Sequence, residues 1–181
     1  EADWIMKDLT GFYAQVTESF RNPRGGRWQL GLYTVEDHAK LGTMTGALPE
    51  GRKAGVSLAN AIAPVQGADH IGPTAVLNSL IKTDLSVATN NMVLDLKFNP
   101  SFMAKPAHVA AMRAMIHSFF RRGGLEIQFN IIDRATLVDA QAHPEKHRNL
   151  VVRVSGFSAY FVTLMKETQD EIIARTEYAS I

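Results

Sequence analysis

The segment NLVVRVSGFSAYF, residues 149–161, places a glycine inside a run of residues that otherwise favours a β-strand. Apolar and β-branched residues lead up to Gly156, and aromatic and small residues follow it. Glycine weakens a strand, because it packs no side chain and loses more backbone entropy on folding than other residues. No proline, asparagine or aspartate lies close enough to Gly156 to indicate an ordinary turn. The pattern therefore predicts a bulge, a tight bend or a position that another group must approach closely.

The composition excludes several classes of protein. A chain of 181 residues fits one compact domain, and 46% hydrophobic with 20% charged residues is typical of a globular protein. No apolar run approaches the ~18 residues of a membrane span, and the N-terminus lacks the pattern of a signal peptide. The absence of cysteine from the sequence excludes disulfides and cysteine-bound metals and favours a cytoplasmic location. We therefore expect no membrane partner.

Two features resemble binding or catalytic patterns but have simpler interpretations. The segment RNPRGGRW, residues 21–28, is the only cluster of basic residues, and it has the composition of a solvated loop rather than an extended basic face. With a net charge of +1, we expect no nucleic-acid partner. The dipeptides Asp37-His38 and Asp69-His70 resemble parts of acid–base pairs, yet solvated loop residues are the favoured interpretation.

Neither a metal site nor an activated serine is predicted. His143 and His147 lie four residues apart, but Pro144 separates them and no third ligand is evident. Ser155 and Ser158 are not part of the G-x-S-x-G element that exposes a catalytic serine.

Hydrophobic spacing predicts alternating helices and strands and one α/β unit. Three strands are expected, over residues 28–35, 125–131 and 150–155. In the second strand we expect the apolar residues to face inward and the polar ones to alternate against them; the polar residues are Glu126, Gln128 and Asn130. Predicted helices cover 3–20, begin at Pro73 and at Pro106, follow an N-cap at Asp133, and end the chain around 167–178. Residues 42–73 form a long irregular segment, which in a compact domain is usually functional.

The residues from Val151 to Phe157 resemble the signature of the pyruvate formate-lyase-like glycyl radical enzymes. That signature has a β-branched or hydroxyl residue, any residue, arginine, an aliphatic, a small residue, the radical glycine and an aromatic residue or valine. Five further blocks fall in the family's order and cover nearly the whole chain; they are LPEGRKAG, APVQGADHIGPTAVLNS, LDLKFNP, GLEIQFNIIDRATLVDAQAHPEKHRNL and LMKETQDEIIARTEY. The chain is therefore identified as similar to the C-terminal part of such an enzyme.

The resemblance implies a fold and a division of the chain. It implies the C-terminal part of a ten-stranded α/β barrel, with the glycine on a loop inserted into the barrel. Residues 1–105 would supply barrel and pocket-wall segments. Residues 106–181 would supply a helix–strand–helix unit, the glycyl radical loop and a C-terminal helix.

The resemblance also implies radical chemistry at Gly156. Only glycine offers a Cα–H that is unhindered and a Cα that can flatten into conjugation with both neighbouring peptide groups. A separate radical S-adenosylmethionine enzyme with an iron–sulfur cluster would install this backbone radical, so no bound cofactor is expected. The radical loop would comprise Gly156 and its neighbours Arg153, Val154, Ser155, Phe157 and Ser158.

The resemblance implies a transfer of the radical that this sequence cannot complete by itself. The family passes the radical to a cysteine, which then takes hydrogen from a small organic substrate, and this sequence has no cysteine. We expect a fragment or a subunit of a split enzyme, homodimeric when complete, rather than a replacement subunit for a damaged enzyme, which stays an alternative.

The segment ANAIAPVQGAD is less similar to the matching segment of the formate C-acetyltransferases than to that of another branch of the family. That branch contains the diol dehydratases, C–N and C–S lyases, arylacetate decarboxylases and succinate-adding synthases. Tyr33 and Val35 match a substrate-lining Tyr-x-Val of the dehydratases, with plain strand packing as the alternative. The sequence MVLDLKF differs from the one that is usual at this position in the dehydratases.

Overall fold

A computed structural model describes residues 1–180. Within that range the chain forms six α-helices: α1 (Ala2–Ser19), α2 (Asp37–Thr43), α3 (Pro73–Leu80), α4 (Pro106–Arg121), α5 (Arg134–Ala142) and α6 (Lys166–Ala174). It forms five short strands: β1 (Leu94–Phe98), β2 (Ile127–Ile131), β3 (Val151–Arg153), β4 (Ser158–Tyr160) and β5 (Glu177–Tyr178). None of the described helices is both long enough and apolar enough to cross a membrane.

The strands divide between a sheet and a hairpin. Strand β1 lies at the centre of a parallel sheet in the order β2-β1-β5, with Leu94 opposite Ile127 and Lys97 opposite Glu177. Strands β3 and β4 pair antiparallel in a separate hairpin. Because β1 belongs to residues 1–105 and its partners to residues 106–181, these two parts of the chain share one sheet.

Strand β1 also carries the centre of the hydrophobic core. All five of its residues are buried, as expected for a central strand covered on both faces. The Phe98 ring centroid lies 4.7 Å from that of Phe102, 5.5 Å from Tyr178 and 6.0 Å from Phe129. These aromatic contacts join β1 to β2 and β5 and fix the sheet on which the glycine hairpin rests.

Local sequence signals place several helix ends as predicted. Pro73 and Pro106 occupy the first turns of α3 and α4, where the missing N–H costs nothing. The Asp133 side chain accepts the N–H of Thr136 at 2.7 Å and caps α5. Helix α1 forms through Gly11, but most of its apolar side chains remain exposed, as does Phe20 directly after it; those of the helix include Trp4, Ile5, Leu9, Phe12 and Val16.

Two predicted strand features are wrong. Residues 28–35 form no strand, because only Leu32 bridges to Met92 and the backbone turns at Val35 with φ +54°. In β2 the polar Gln128 and Asn130 are buried, whereas Ile131 is 45% exposed. Ile127 and Phe129 pack against the core as predicted. The opposite face was expected to be exposed, but Gln128 and Asn130 are buried there because they bond to the hairpin.

The predicted C-terminal helix is correct only in part. It ends at Ala174, and the following residues form β5, which completes the sheet. The α/β class is confirmed. The described residues contain a three-stranded parallel sheet and a hairpin, which do not close a barrel by themselves; the resemblance implied only the C-terminal part of one.

Candidate functional site

Gly156 lies at the tip of the β3–β4 hairpin. The Val154 N–H donates to the Phe157 carbonyl at 2.9 Å, which leaves Ser155 and Gly156 as the two turn residues. Gly156 has φ +82°, a conformation that glycine adopts without steric cost. It is exposed, and a Cβ built on it would meet no atom within 4 Å. The turn therefore explains the glycine, and the Cα is open to an approaching group.

Gln128 holds this turn from the neighbouring strand. Its side-chain carbonyl accepts the Gly156 N–H at 3.1 Å and Nε of Arg153 at 2.7 Å. Its amide nitrogen donates to Glu126, which also lies 3.7 Å from the Arg153 guanidinium. Arg153 in turn donates to the Ser158 hydroxyl at 3.2 Å across the hairpin. The motif arginine therefore serves both to close the hairpin and to attach it to β2.

Asn130 makes a second attachment from the same strand. Its side-chain oxygen accepts the backbone N–H of Arg153 at 2.8 Å, and its side-chain nitrogen donates to the Arg153 carbonyl at 2.7 Å. A buried asparagine thus satisfies both main-chain groups of one residue, as a paired strand would.

Arg175, directly after α6, makes a third attachment to the hairpin, in addition to those of Gln128 and Asn130. It is 8% exposed, and its guanidinium donates to the carbonyls of Val154 at 2.7 Å and Arg153 at 3.3 Å. The same guanidinium forms an ion pair with Glu171 at 2.8 Å, and Asp95 lies 3.8 Å away. Burial lowers the pKa of Arg175, and the two carboxylates more than offset this, so the net shift is upward.

Glu171 connects this arginine to His38 in α2 and, through His38, to Thr34 before that helix. Its carboxylate accepts Gln66 Nε2 at 2.7 Å and lies 3.4 Å from His38 Nε2. Burial alone would raise the pKa of Glu171, but the charges and hydrogen bonds of Arg175 and His38 outweigh burial and lower this pKa to about 2. The Thr34 hydroxyl lies 3.1 Å from the other ring nitrogen of His38.

The interpretation of His38 as a solvated loop residue is therefore wrong, because its ring is buried between Thr34 and Glu171. Asp37, its predicted acid–base partner, is exposed. In the second dipeptide, His70 is exposed, while Asp69 accepts hydrogen bonds from Thr176 and Tyr178 and ties the irregular segment to β5.

Two ionisable side chains of β1 lie beneath the hairpin. Burial raises the pKa of Asp95 to about 6, although Arg175 opposes the shift, and Asn60 donates to this carboxyl group at 3.0 Å. Lys97 is 1% exposed and donates to the last carbonyls of α6, and burial lowers its pKa to about 8. Strand β1 thus places Lys97 against the end of α6 and Asp95 beside Arg175, the residue that bonds to the hairpin.

The predicted site residues fall into two places. The six radical-loop residues lie together on the hairpin. Tyr33 and Val35, 44% and 43% exposed, lie on a turn, and the Tyr33 hydroxyl accepts Asn90 Nδ2 at 3.1 Å. The packed strand offered as the alternative for these two residues is not formed, and no hydrogen bond or ion pair among residues 1–180 joins either side chain to the hairpin.

The C-terminal histidines bind a carboxylate. His143 and His147 lie 2.9 Å and 2.6 Å from the two oxygens of Asp139. No group of three candidate ligand side chains within residues 1–180 is arranged to hold a metal ion.

Sequence reasoning missed the side chains that hold the hairpin. Gln128, Asn130 and Arg175 belong to segments distant in sequence, and their spacing carries no motif. One available signal was the alternation of β2, because polar residues at every second position of a strand beside a core indicate a polar partner on that face.

Comparison with known proteins identifies the family. The sequence model of the glycine radical family matches residues 58–162, more than half of the chain, including Gly156. Among curated proteins, the probable dehydratase YbiW of Escherichia coli K12 is 40% identical over 97% of this chain and 23% of that protein. The indoleacetate decarboxylase of Tractidigestivibacter scatoligenes is 41% identical over 93% of this chain and 19% of that protein.

Solved structures give the same result. A structure describing 1,2-propanediol dehydration in Roseburia inulinivorans superposes with a TM-score of 0.93 at 45% identity, over 97% of this chain and 22% of that one. The glycerol-bound, B12-independent glycerol dehydratase of Clostridium butyricum gives 0.93 at 40% identity, over 98% of this chain and 22% of that one. The chain spans about a fifth of the length of these relatives.

The hairpin and its sheet thus define a glycyl radical domain. The chain belongs to the glycyl radical enzyme family, and its relatives are dehydratases and decarboxylases of that family.

We expect the Asp95→Asn variant to gain stability relative to the wild type as the pH rises. The folded-state pKa of about 6 exceeds the ordinary value of 3.8, so the folded protein keeps this proton longer than the unfolded chain. The wild type therefore loses up to about 3 kcal/mol of unfolding free energy between pH 4 and pH 7, and the asparagine variant does not. Urea unfolding of both proteins at several pH values measures the difference.

Asp170→Asn is the control for that experiment. Asp170 pairs with Lys166 at the surface, and its pKa is lowered, so its contribution changes only at more acidic pH. A difference between wild type and Asp95→Asn that stays constant from pH 4 to pH 7 would contradict the assignment.

Proposed function

We propose that this chain is the radical-storing part of an anaerobic glycyl radical lyase and that Gly156 carries the radical. The observation that carries the proposal is the exposed glycine with φ +82° at the tip of a hairpin that has the family signature. The hydrogen bonds from Gln128, Asn130 and Arg175 support it, because they hold the loop in one pose and leave its Cα free.

The radical forms when Gly156 loses a hydrogen atom from its Cα, and it is passed on when Gly156 regains one. The activating enzyme would pass one electron to S-adenosylmethionine, which would break one carbon–sulfur bond, release methionine and leave a 5′-deoxyadenosyl radical. That radical would take a hydrogen atom from the Gly156 Cα and become 5′-deoxyadenosine. The Cα keeps one electron, shared with its two peptide groups. Gly156 later takes hydrogen from a cysteine thiol on the remainder of the enzyme, which restores glycine and forms a thiyl radical. The thiyl radical then takes hydrogen from the substrate.

We favour dehydration of a small diol as the reaction of the complete enzyme. Support comes from relatives of 40–45% identity whose names or titles refer to propanediol, glycerol or a probable dehydratase. The second candidate is arylacetate decarboxylation, which the 41% identical indoleacetate decarboxylase supports. Activated full-length protein given 1,2-propanediol or glycerol should form an aldehyde. Release of CO2 from an arylacetate without aldehyde formation would favour the second candidate.

Gly156→Ala is expected to abolish radical formation and turnover. Alanine at φ +82° costs about 1–2 kcal/mol, and its methyl group hinders both planarity of the radical and access to the Cα–H. Electron paramagnetic resonance after activation measures the loss.

Gly67→Ala is the matched control for this substitution. Gly67 has φ +84°, and its added Cβ would also meet no atom within 4 Å, so both variants carry the same backbone cost. Gly67→Ala should keep the radical. Wild-type turnover in Gly156→Ala would refute the assignment of the radical.

Activated protein exposed to air should be cut at Gly156. A carbon-centred radical adds dioxygen, and the resulting peroxyl species breaks the chain at that Cα. Mass analysis should show loss of residues 157–181 only after treatment with the activating enzyme, S-adenosylmethionine and a reductant. Equal cleavage without activation, or cleavage within residues 42–73, would indicate ordinary proteolysis of a loop instead.

Tyr33 and Val35 are proposed to line the substrate pocket. The match of Tyr33 and Val35 to the substrate-lining Tyr-x-Val of the dehydratases supports this, and both residues lie on a turn whose side chains residues 1–180 leave partly uncovered. Tyr33→Phe should lower turnover or raise KM while leaving the spin content at Gly156 unchanged. Asn90→Ala, which removes only the donor to the Tyr33 hydroxyl, separates loss of that hydrogen bond from loss of a substrate contact. Identical kinetics in wild type and Tyr33→Phe would leave Tyr33 without a role in binding.

A further inference from the structure

Gln128 is the side chain that bonds to the amide of Gly156 itself. It is 5% exposed, and its Oε1 accepts the Gly156 N–H at 3.1 Å and Arg153 Nε at 2.7 Å. We propose that Gln128 is a positioning residue that fixes the Gly156 peptide and stabilises the radical form of that residue. This inference rests on the proposed function of Gly156.

The hydrogen bond is expected to strengthen when the radical forms. The unpaired electron on the Cα is shared with the adjacent nitrogen, which gives up electron density and leaves the N–H more positive. A more positive donor forms a stronger bond with the same acceptor. The Gln128 oxygen therefore stabilises the radical more than it stabilises the closed-shell glycine, and only such a differential interaction shifts an equilibrium.

The orientation of the Gln128 amide follows from its other partner. Its Nε2 donates to Glu126, so its oxygen faces the two donors of the loop. A flipped amide would place its NH2 group against the N–H of Gly156 and the guanidinium of Arg153. The neutral amide also avoids a second carboxylate beside Glu126, which a glutamate at this position would create.

Asn130 separates radical stabilisation from simple attachment of the hairpin. It lies two residues further along β2, is also 5% exposed, and makes two hydrogen bonds to the Arg153 backbone. It anchors the same hairpin without contacting Gly156. A Gln128 variant and an Asn130 variant should therefore both loosen the hairpin, whereas only the first changes the environment of the Gly156 N–H.

The experiment compares Gln128→Met and Asn130→Leu in the activated full-length enzyme. Gln128→Met keeps the side-chain length and removes the acceptor. We expect about fivefold fewer spins per chain, in line with a hydrogen bond that becomes roughly twice as strong in the radical form. We also expect an altered hyperfine coupling of the exchangeable amide proton, measured by double resonance in H2O and D2O. Asn130→Leu should keep the wild-type coupling. If Gln128→Met does not fold, Gln128→Asn replaces it, because it withdraws the acceptor by one methylene and predicts the same changes.

The outcomes distinguish the two proposals. Absence of a radical from activated wild-type enzyme would refute the proposed function. A wild-type radical at Gly156, with unchanged spin content and amide coupling in the Gln128 variant, would overturn only the role of Gln128. Equal changes in the Gln128 and Asn130 variants would also overturn it, because they would show general loosening of the hairpin.

Discussion

The ion pair between Arg175 and Glu171 is the interaction on which the site depends. Both side chains are buried, and the Arg175 guanidinium also donates to two carbonyls of the glycine hairpin. Removing one partner of such a pair leaves an uncompensated charge and costs about 3–5 kcal/mol. Because α6 leads directly into β5, which pairs with β1, this single arginine ties the hairpin to both a helix and the central sheet.

The hairpin is attached to the sheet by side chains rather than by a continued ladder of backbone hydrogen bonds. Gln128 and Asn130 supply these bonds from β2, and each satisfies main-chain groups of the loop. Such an arrangement fixes the peptide planes around Gly156 while its Cα stays uncovered by the described residues. A radical on that Cα needs both properties, because it must be planar to be stabilised and accessible to be transferred.

The same network extends to the segment that is proposed to bind substrate. His38 lies between Glu171 and Thr34, and Thr34 directly follows Tyr33 in the chain. A change in the position of Glu171 therefore affects both the hairpin and the turn that carries Tyr33 and Val35.

The sequence by itself determined the family signature, the position of Gly156, the helix starts at Pro73 and Pro106, and the cap at Asp133. These follow from local chemistry, since a proline ring, a capping carboxylate and a glycine act on their own neighbourhood. Tertiary structure alone decided that β2 turns Gln128 and Asn130 inward and that His38 is buried. Those outcomes depend on partners that are distant in the chain, namely the hairpin and Glu171. Local spacing distinguishes polar from apolar positions along a strand, but only the partner on the polar face decides whether that face is buried as well.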